Sequence, residues 1–303
     1  MPKDFKTINE LIEILESRGI KTNEDTKHAI ARESYYAIVN GYKTPFLDSQ
    51  AMQSTDTDVY KSGVEFDWIY SLFLFDRELR TLTFDYLIKA EARLKTAVVY
   101  SFCHNHQQVS DYLEISNYCT PSEYLVPKTF KGNKKVQHTE NLSRLMSKLN
   151  SNIVLRENTR DFIKHYLTKY GFVPLWVLSN ELTFGTIVNM FQLMQPNDRN
   201  EVCSIIVKEA GNSKRRYLSP RKLLRYSKTL VFFRNICAHD ERLYCAKNGN
   251  DDFNTLIAGL NEVLGEEETN AFRSALLHLY RKYRDKLHIV NQEELFKSIS
   301  IYE

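Results

Sequence analysis

Glycine and proline are scarce, 10 and 7 residues in a chain of 303. That is too little punctuation for the many short strands of a sandwich or barrel, and it favours helices. Cysteine is scarce as well. Cys103, Cys119, Cys203, Cys237 and Cys245 form an odd set with no C-x-x-C pair, which argues against a secreted disulfide framework or a structural zinc knot and for reduced cytosolic thiols. No apolar run approaches the roughly 18 residues of a membrane span. The opening MPKDFKTINELIEIL has no uninterrupted apolar core of a signal peptide, so a cytoplasmic protein without a membrane partner is expected. Charge of one sign is also missing: 41 Lys and Arg stand against 38 Asp and Glu, a formal +3. This excludes a wholly basic nucleic-acid coat but leaves room for a local basic patch.

The common enzyme signatures are absent too. There is no G-x-x-x-x-G-K, G-x-G-x-x-G, H-E-x-x-H or G-x-S-x-G. His104 and His106 stand two apart without a carboxylate at ligand spacing and read as a solvated helix end. No metal site and no cofactor is predicted.

What is present is helical periodicity. Thr7-x-x-Glu10 has the spacing of a capping box, and Gly19 closes the helix it opens. A second helix is predicted from about Asn23 to Asn40, with Gly41 as its stop, and residues 43–62 read as loop. From Glu65 to His106 no Gly or Pro interrupts a stripe of Trp68, Leu72, Phe75, Leu79, Leu82, Tyr86 and Ala90, the mark of a long central helix. Helices follow at about 138–150, 156–169 and 174–194, then a short one ending at Ala210. Trp176, Phe184 and Phe191 are expected in the core, and Gly185 is expected to let helices pack closely. Ser219-Pro220 announces a helix running to about Leu243, and residues 252–300 carry a last amphipathic pattern. The reading is an all-α helical bundle. It divides into an N-terminal helical segment (1–60), a core (61–250) and a C-terminal helical extension (251–303).

One stretch of the core carries chemistry. In Phe232-Phe233-Arg234-Asn235-Ile236-Cys237-Ala238-His239-Asp240-Glu241-Arg242 an apolar helix turns abruptly polar. On a continuous helix Asn235, His239 and Arg242 share one face, and the long stem of Arg234 reaches the same patch. Arginine offers fixed donors to a phosphate, histidine exchanges protons near neutrality, and asparagine orients either. Those are tools for cleaving a phosphodiester without a metal. Cys237 is expected to pack as a small apolar residue.

Arg234-Asn-x-x-x-His239 is similar to the R-x(4–6)-H pattern of the HEPN superfamily, helical domains that include metal-independent ribonucleases. Three further segments narrow the resemblance to the bacterial abortive-infection family of the AbiD/AbiF type. They are Tyr35-Tyr-Ala-Ile-Val-Asn-Gly-Tyr42-Lys-Thr-Pro-Phe46, Asp76-Arg-Glu-Leu-Arg80 with Glu91-Ala-Arg-Leu94, and Pro174-Leu-Trp-Val-Leu-Ser-Asn-Glu-Leu-Thr-Phe-Gly185. In the last, Asn180 stands where the family's glutamate is expected and Glu181 follows it. The resemblance spans about residues 30–245.

It implies a HEPN-type bundle in a phage-defence protein, with Arg234 and His239 as catalytic positions and Asn235 as the polar residue beside the arginine. It implies RNA as substrate, with room for a regulatory RNA, a homodimer, and a phage or host trigger protein. The alternatives are a non-catalytic RNA-binding scaffold and a protein-interaction module. Charge clustering favours RNA. Lys214, Arg215, Arg216, Arg221, Lys222, Arg225, Lys228 and Arg234 fall between Gly211 and Arg234 with no acidic residue among them. Residues 128–148 hold six basic residues against Glu140 alone. Lys214, Arg215, Arg216, Arg221, Lys222, Arg225 and Arg242 are the candidate phosphate contacts.

Overall fold

The computed structural model describes residues 4–54, 57–127, 130–156, 160–211, 217–288, 295–297 and 299. Along the chain run α1 (Ile8–Ser17), α2 (Glu24–Glu33), α3 (Phe66–Asn105), α4 (Lys134–Arg156), α5 (Asp161–Tyr170) and α6 (Leu175–Leu178). They are followed by α7 (Phe184–Leu193), α8 (Pro196–Glu209), α9 (Pro220–Ala238), α10 (Phe253–Leu264) and α11 (Glu266–Tyr283). Among the described residues there are isolated bridges but no strand. The protein is an all-α bundle. No helix among the described residues is long and apolar enough to cross a membrane.

The chain divides into two units. One comprises Met1–Thr83, Ile236–Ala246 and Phe272–Glu303, the other Phe84–Asn235 and Lys247–Ala271. The predicted long helix is α3, whose residues are shared between them.

In the first unit the capping box of α1 is formed. Thr7 Oγ1 accepts the Glu10 N–H at 3.3 Å, and Glu10 Oε2 accepts the Thr7 N–H at 2.7 Å. The second helix departs from expectation. Ser34 takes a left-handed φ of 68°, which interrupts a right-handed ladder. The ladder stops with the Ser34 N–H on the Ile30 carbonyl, and the chain restarts as a π-helical turn over Tyr36–Asn40. Gly41 is right-handed and stops nothing. Leu15, Ile38, Phe66, Phe75 and Phe272 form the buried core. Tyr283 and Phe296 pack here, meeting Phe75 edge-on at 5.6 and 6.0 Å. Glu78 accepts from Lys282 Nζ and Tyr283 Oη, each at 2.7 Å.

In the second unit α4 packs on α7 and α8 on α10. The predicted helix 174–194 is broken into α6, a 3-10 turn over Ser179–Glu181, and α7. Leu182 is extended, and Thr183 caps α7 by accepting the Thr186 N–H at 3.2 Å. The break explains a further correction. Phe184 and Phe191 are buried as expected, but Trp176 is 54% exposed. At the far end Gly265, with φ 89°, separates α10 from α11. A Cβ there would stand 2.1 Å from the Ala210 carbonyl oxygen, so the close approach and the left-handed turn both require glycine.

Candidate functional site

The helix that carries the Arg/His motif opens as its sequence prescribes. Ser219 Oγ accepts the Lys222 N–H at 3.2 Å, and Pro220 occupies the first helical position. It closes earlier than the periodicity implies, at Ala238. The N–H of Glu241 reaches back to the Ile236 carbonyl at 3.1 Å, across Asp240 with its φ of 58°. This is a Schellman closure with His239 at the C-cap and Asp240 in the left-handed position that glycine usually fills.

Two consequences follow for the predicted residues. Arg242 lies beyond the helix, so it does not share a helical face with Asn235 and His239; its Nη1 donates to the Gly41 carbonyl at 3.0 Å instead. His239 is exposed, and its ring has no hydrogen bond or ion pair among the described residues.

A buried cluster in the first unit fixes this turn. Arg80 Nη2 donates to Asp240 Oδ1. Its Nη1 donates to Asp76 Oδ2 at 2.7 Å, to Tyr42 Oη at 2.9 Å and to the Glu241 carbonyl at 3.4 Å. Asp76 is fully buried and accepts further bonds from Tyr42 Oη at 2.7 Å and from the backbone N–H groups of Leu243 (3.1 Å) and Tyr244 (2.7 Å). Burial pushes the Asp76 carboxyl above the ordinary carboxylate range, and Tyr42, Arg80 and the two amides oppose that push. Every partner is a donor, which suits the ionised form. Burial likewise raises the Tyr42 hydroxyl, and Asp76 raises it further. The Tyr42 and Tyr244 rings stack at 5.9 Å and seal the cluster.

Arg234 belongs to the second unit. Its Nε donates to Glu91 Oε2 at 3.1 Å, and its side chain is 29% exposed. The two Nη nitrogens have no protein partner among the described residues, so one edge of the guanidinium is fixed and the other is open. Asn235 is exposed. The Cys237 thiol is pushed up to about 12 by burial, consistent with a packed, unreactive side chain.

The predicted phosphate contacts differ among themselves. Arg221 is exposed and without an ion pair among the described residues. Lys222 pairs with Glu262 at 3.0 Å and Arg225 with Asp251 at 2.8 Å, so each already has a carboxylate. Lys214, Arg215 and Arg216 lie outside the described residues.

A family model described as Abi-like protein matches residues 28–245, more than two thirds of the chain. The chain belongs to the Abi-like protein family. No curated protein and no solved structure matches it. The family points to abortive-infection defence against phage.

In this Abi-like protein, segments that are far apart in sequence meet in the first unit: Gly41 and Tyr42, Asp76 and Arg80, and Asp240–Tyr244. The Pro174–Gly185 block lies in the second. There Glu181 is nearly buried and accepts from Arg160 at 2.9 Å and Arg156 at 3.3 Å, while Asn180 is exposed. Glu181 therefore ties the end of α4 to the start of α5.

Sequence reasoning missed Tyr42, Asp76, Arg80 and Glu91 as supports of the motif, although each stood in a segment quoted for the resemblance. A usable signal was there in Asp76 and Arg80, an ion pair at i, i+4 inside an otherwise apolar stripe.

Proposed function

We propose that this Abi-like protein is a HEPN-type endoribonuclease toxin of phage defence, acting in the cytoplasm on RNA without a metal. The observation that supports the reading is the imidazole of His239, exposed and without a partner among the described residues, on a turn that Arg80 fastens. Asp240 and the Glu241 carbonyl are held by Arg80, and Arg80 by Asp76 and Tyr42. A histidine without a partner among the described residues is open to exchange protons with a ligand, which favours this reading.

In the proposed reaction His239 takes the proton of a ribose 2′-hydroxyl, whose oxygen attacks the adjacent phosphorus and displaces the 5′-oxygen. The open Nη edge of Arg234 holds the phosphate oxygens and stabilises the charge that develops there, with Glu91 fixing the guanidinium through Nε. Asn235 orients the phosphate. In-line displacement needs a base on one side of phosphorus and an acid on the other. Each chain brings one histidine to the motif, so the proposed active unit is a homodimer with paired motifs, in keeping with the commonest oligomer symmetry.

End-group analysis tests the chemistry. The proposal requires products ending in a 2′,3′-cyclic phosphate and beginning with a 5′-hydroxyl; 3′-hydroxyl and 5′-phosphate ends would exclude it. Mixing wild type with excess His239→Ala under exchange conditions tests the dimer. A shared site loses activity well below the wild-type fraction, whereas independent sites lose it in proportion.

A further inference from the structure

The two basic clusters of the sequence converge on a cavity within the second unit, formed by α4, α7 and α9. Its volume is about 440 Å³, within the ~300–1,000 Å³ of small-molecule sites. Arg144 and Lys148 enter it from successive turns of α4, and Lys228 enters from α9. No carboxylate lines it among the described residues. Lys148 and Lys228 have no ion pair there, and Arg144 makes only a side-chain bond from Nη1 to Asn141 Oδ1 at 2.9 Å.

Some basic residues elsewhere in this unit are paired with acids, Lys222 with Glu262 and Arg225 with Asp251. Three like charges around one hollow without a counter-ion repel one another, an arrangement stabilised by an anion between them. Lys228 is exposed to solvent, yet neighbouring atoms desolvate its ammonium enough to push it below the ordinary lysine range, and no carboxylate offsets that cost.

The rest of the lining is suited to a ligand larger than a bare ion. The N-terminus of α7 contributes its cap Thr183 with Gly185 and Thr186, at the helix end that favours negative charge. Gly185 is not needed there for close helix packing, contrary to expectation. A Cβ at that position would meet Val231 only at 3.8 Å, an ordinary contact. Leu145, Val188 and Val231 supply an apolar wall beside the Asn189 amide.

We propose that this cavity is a nucleotide site, which binds the phosphomonoester or polyphosphate of a nucleotide between Arg144, Lys148 and Lys228. Charge density selects this ligand over an RNA strand. A phosphodiester carries one charge per nucleotide, spread along a chain, whereas three cations facing one hollow match a group with several charges in one place. The site is separate from the Arg234 and His239 chemistry and does not rest on it.

Isothermal titration of the purified full chain with adenosine 5′-triphosphate, inorganic pyrophosphate, adenosine, and a short single-stranded RNA with a 5′-hydroxyl tests the assignment. The triphosphate and pyrophosphate are expected to bind and adenosine is not. Lys228→Gln and Arg144→Gln should each weaken the triphosphate about tenfold or more, the loss of one charge-assisted contact. His239→Ala should bind it like wild type, which separates this result from any failure of the ribonuclease reading. Lys148→Gln replaces either variant whose thermal midpoint shows that it is poorly folded. Absence of triphosphate and pyrophosphate binding, binding confined to the RNA, or unchanged affinity in the folded variants would overturn the proposal.

Discussion

Arg80 of α3 holds the Asp240 carboxylate, and Asp240 is the left-handed residue on which the motif helix α9 turns out of its ladder. The two are 160 positions apart in the chain. The same guanidinium neutralises the fully buried Asp76, so one side chain links the hydrophobic interior of the first unit to the turn that presents His239.

Arg80→Met is therefore expected to destabilise the protein by about 3–5 kcal/mol, because it strands a buried carboxylate. Tyr42→Phe removes one donor to Asp76 and should cost about 1–2 kcal/mol. Urea unfolding of the two variants checks the order; equal and small losses would mean that Asp76 is not held as a buried anion.

Asp240 itself should be replaceable by glycine. Its side chain is 72% exposed, so its ion pair adds little, and glycine adopts the positive φ without steric cost. Asp240→Gly should stay within about 1 kcal/mol of wild type, while Asp240→Val, branched at Cβ, should lose about 1–3 kcal/mol. Thermal midpoints of the pair decide the matter.

Gly265→Ala should be among the most damaging single-methyl changes in the chain. The added carbon would meet the Ala210 carbonyl oxygen at 2.1 Å, on a backbone with φ 89°. A loss of more than about 2 kcal/mol is expected, since strain at a positive φ and overpacking act together. Denaturant midpoints measure it.

Acid should weaken the first unit through Glu33. Its hydrogen bonds from Arg77, with Nη1 at 3.0 Å, hold the carboxyl below the ordinary range. The folded value lies below the unfolded one, so the stabilisation is present above the ordinary carboxylate range and disappears as pH falls through the depressed value. Arg77 is 40% exposed, which limits the effect to about 1 kcal/mol at neutrality. Melting curves of wild type and Glu33→Gln should differ at neutral pH and converge on acidification.

The sequence made the helical class legible because periodic stripes and few breakers are local properties. The predicted helix 65–106 appears as Phe66–Asn105 for that reason. The ends of α2 and α9 were not legible. Both rest on non-glycine residues at positive φ, Ser34 and Asp240, and Asp240 is fastened by a side chain remote in sequence. Arg234 and His239 stood out in the sequence as a polar pair closing an apolar helix. Glu91, which bonds Arg234, and Arg80 and Asp76, which hold the turn after His239, were visible only as parts of a helix pattern. The cation-lined cavity was half legible: two basic clusters could be read, but not that α4 and α9 bring Arg144, Lys148 and Lys228 to one hollow.

The central claim is that His239 exchanges the protons of RNA cleavage. Its most direct test is incubation of total cellular RNA in EDTA with wild type, Arg234→Ala and His239→Ala, all shown to be folded by their melting curves. The account predicts that wild type cleaves in EDTA and that both variants lose at least about a hundredfold in rate, the scale of a missing general base or charge stabiliser. Cleavage that requires added Mg²⁺, or that survives His239→Ala unchanged, would contradict it.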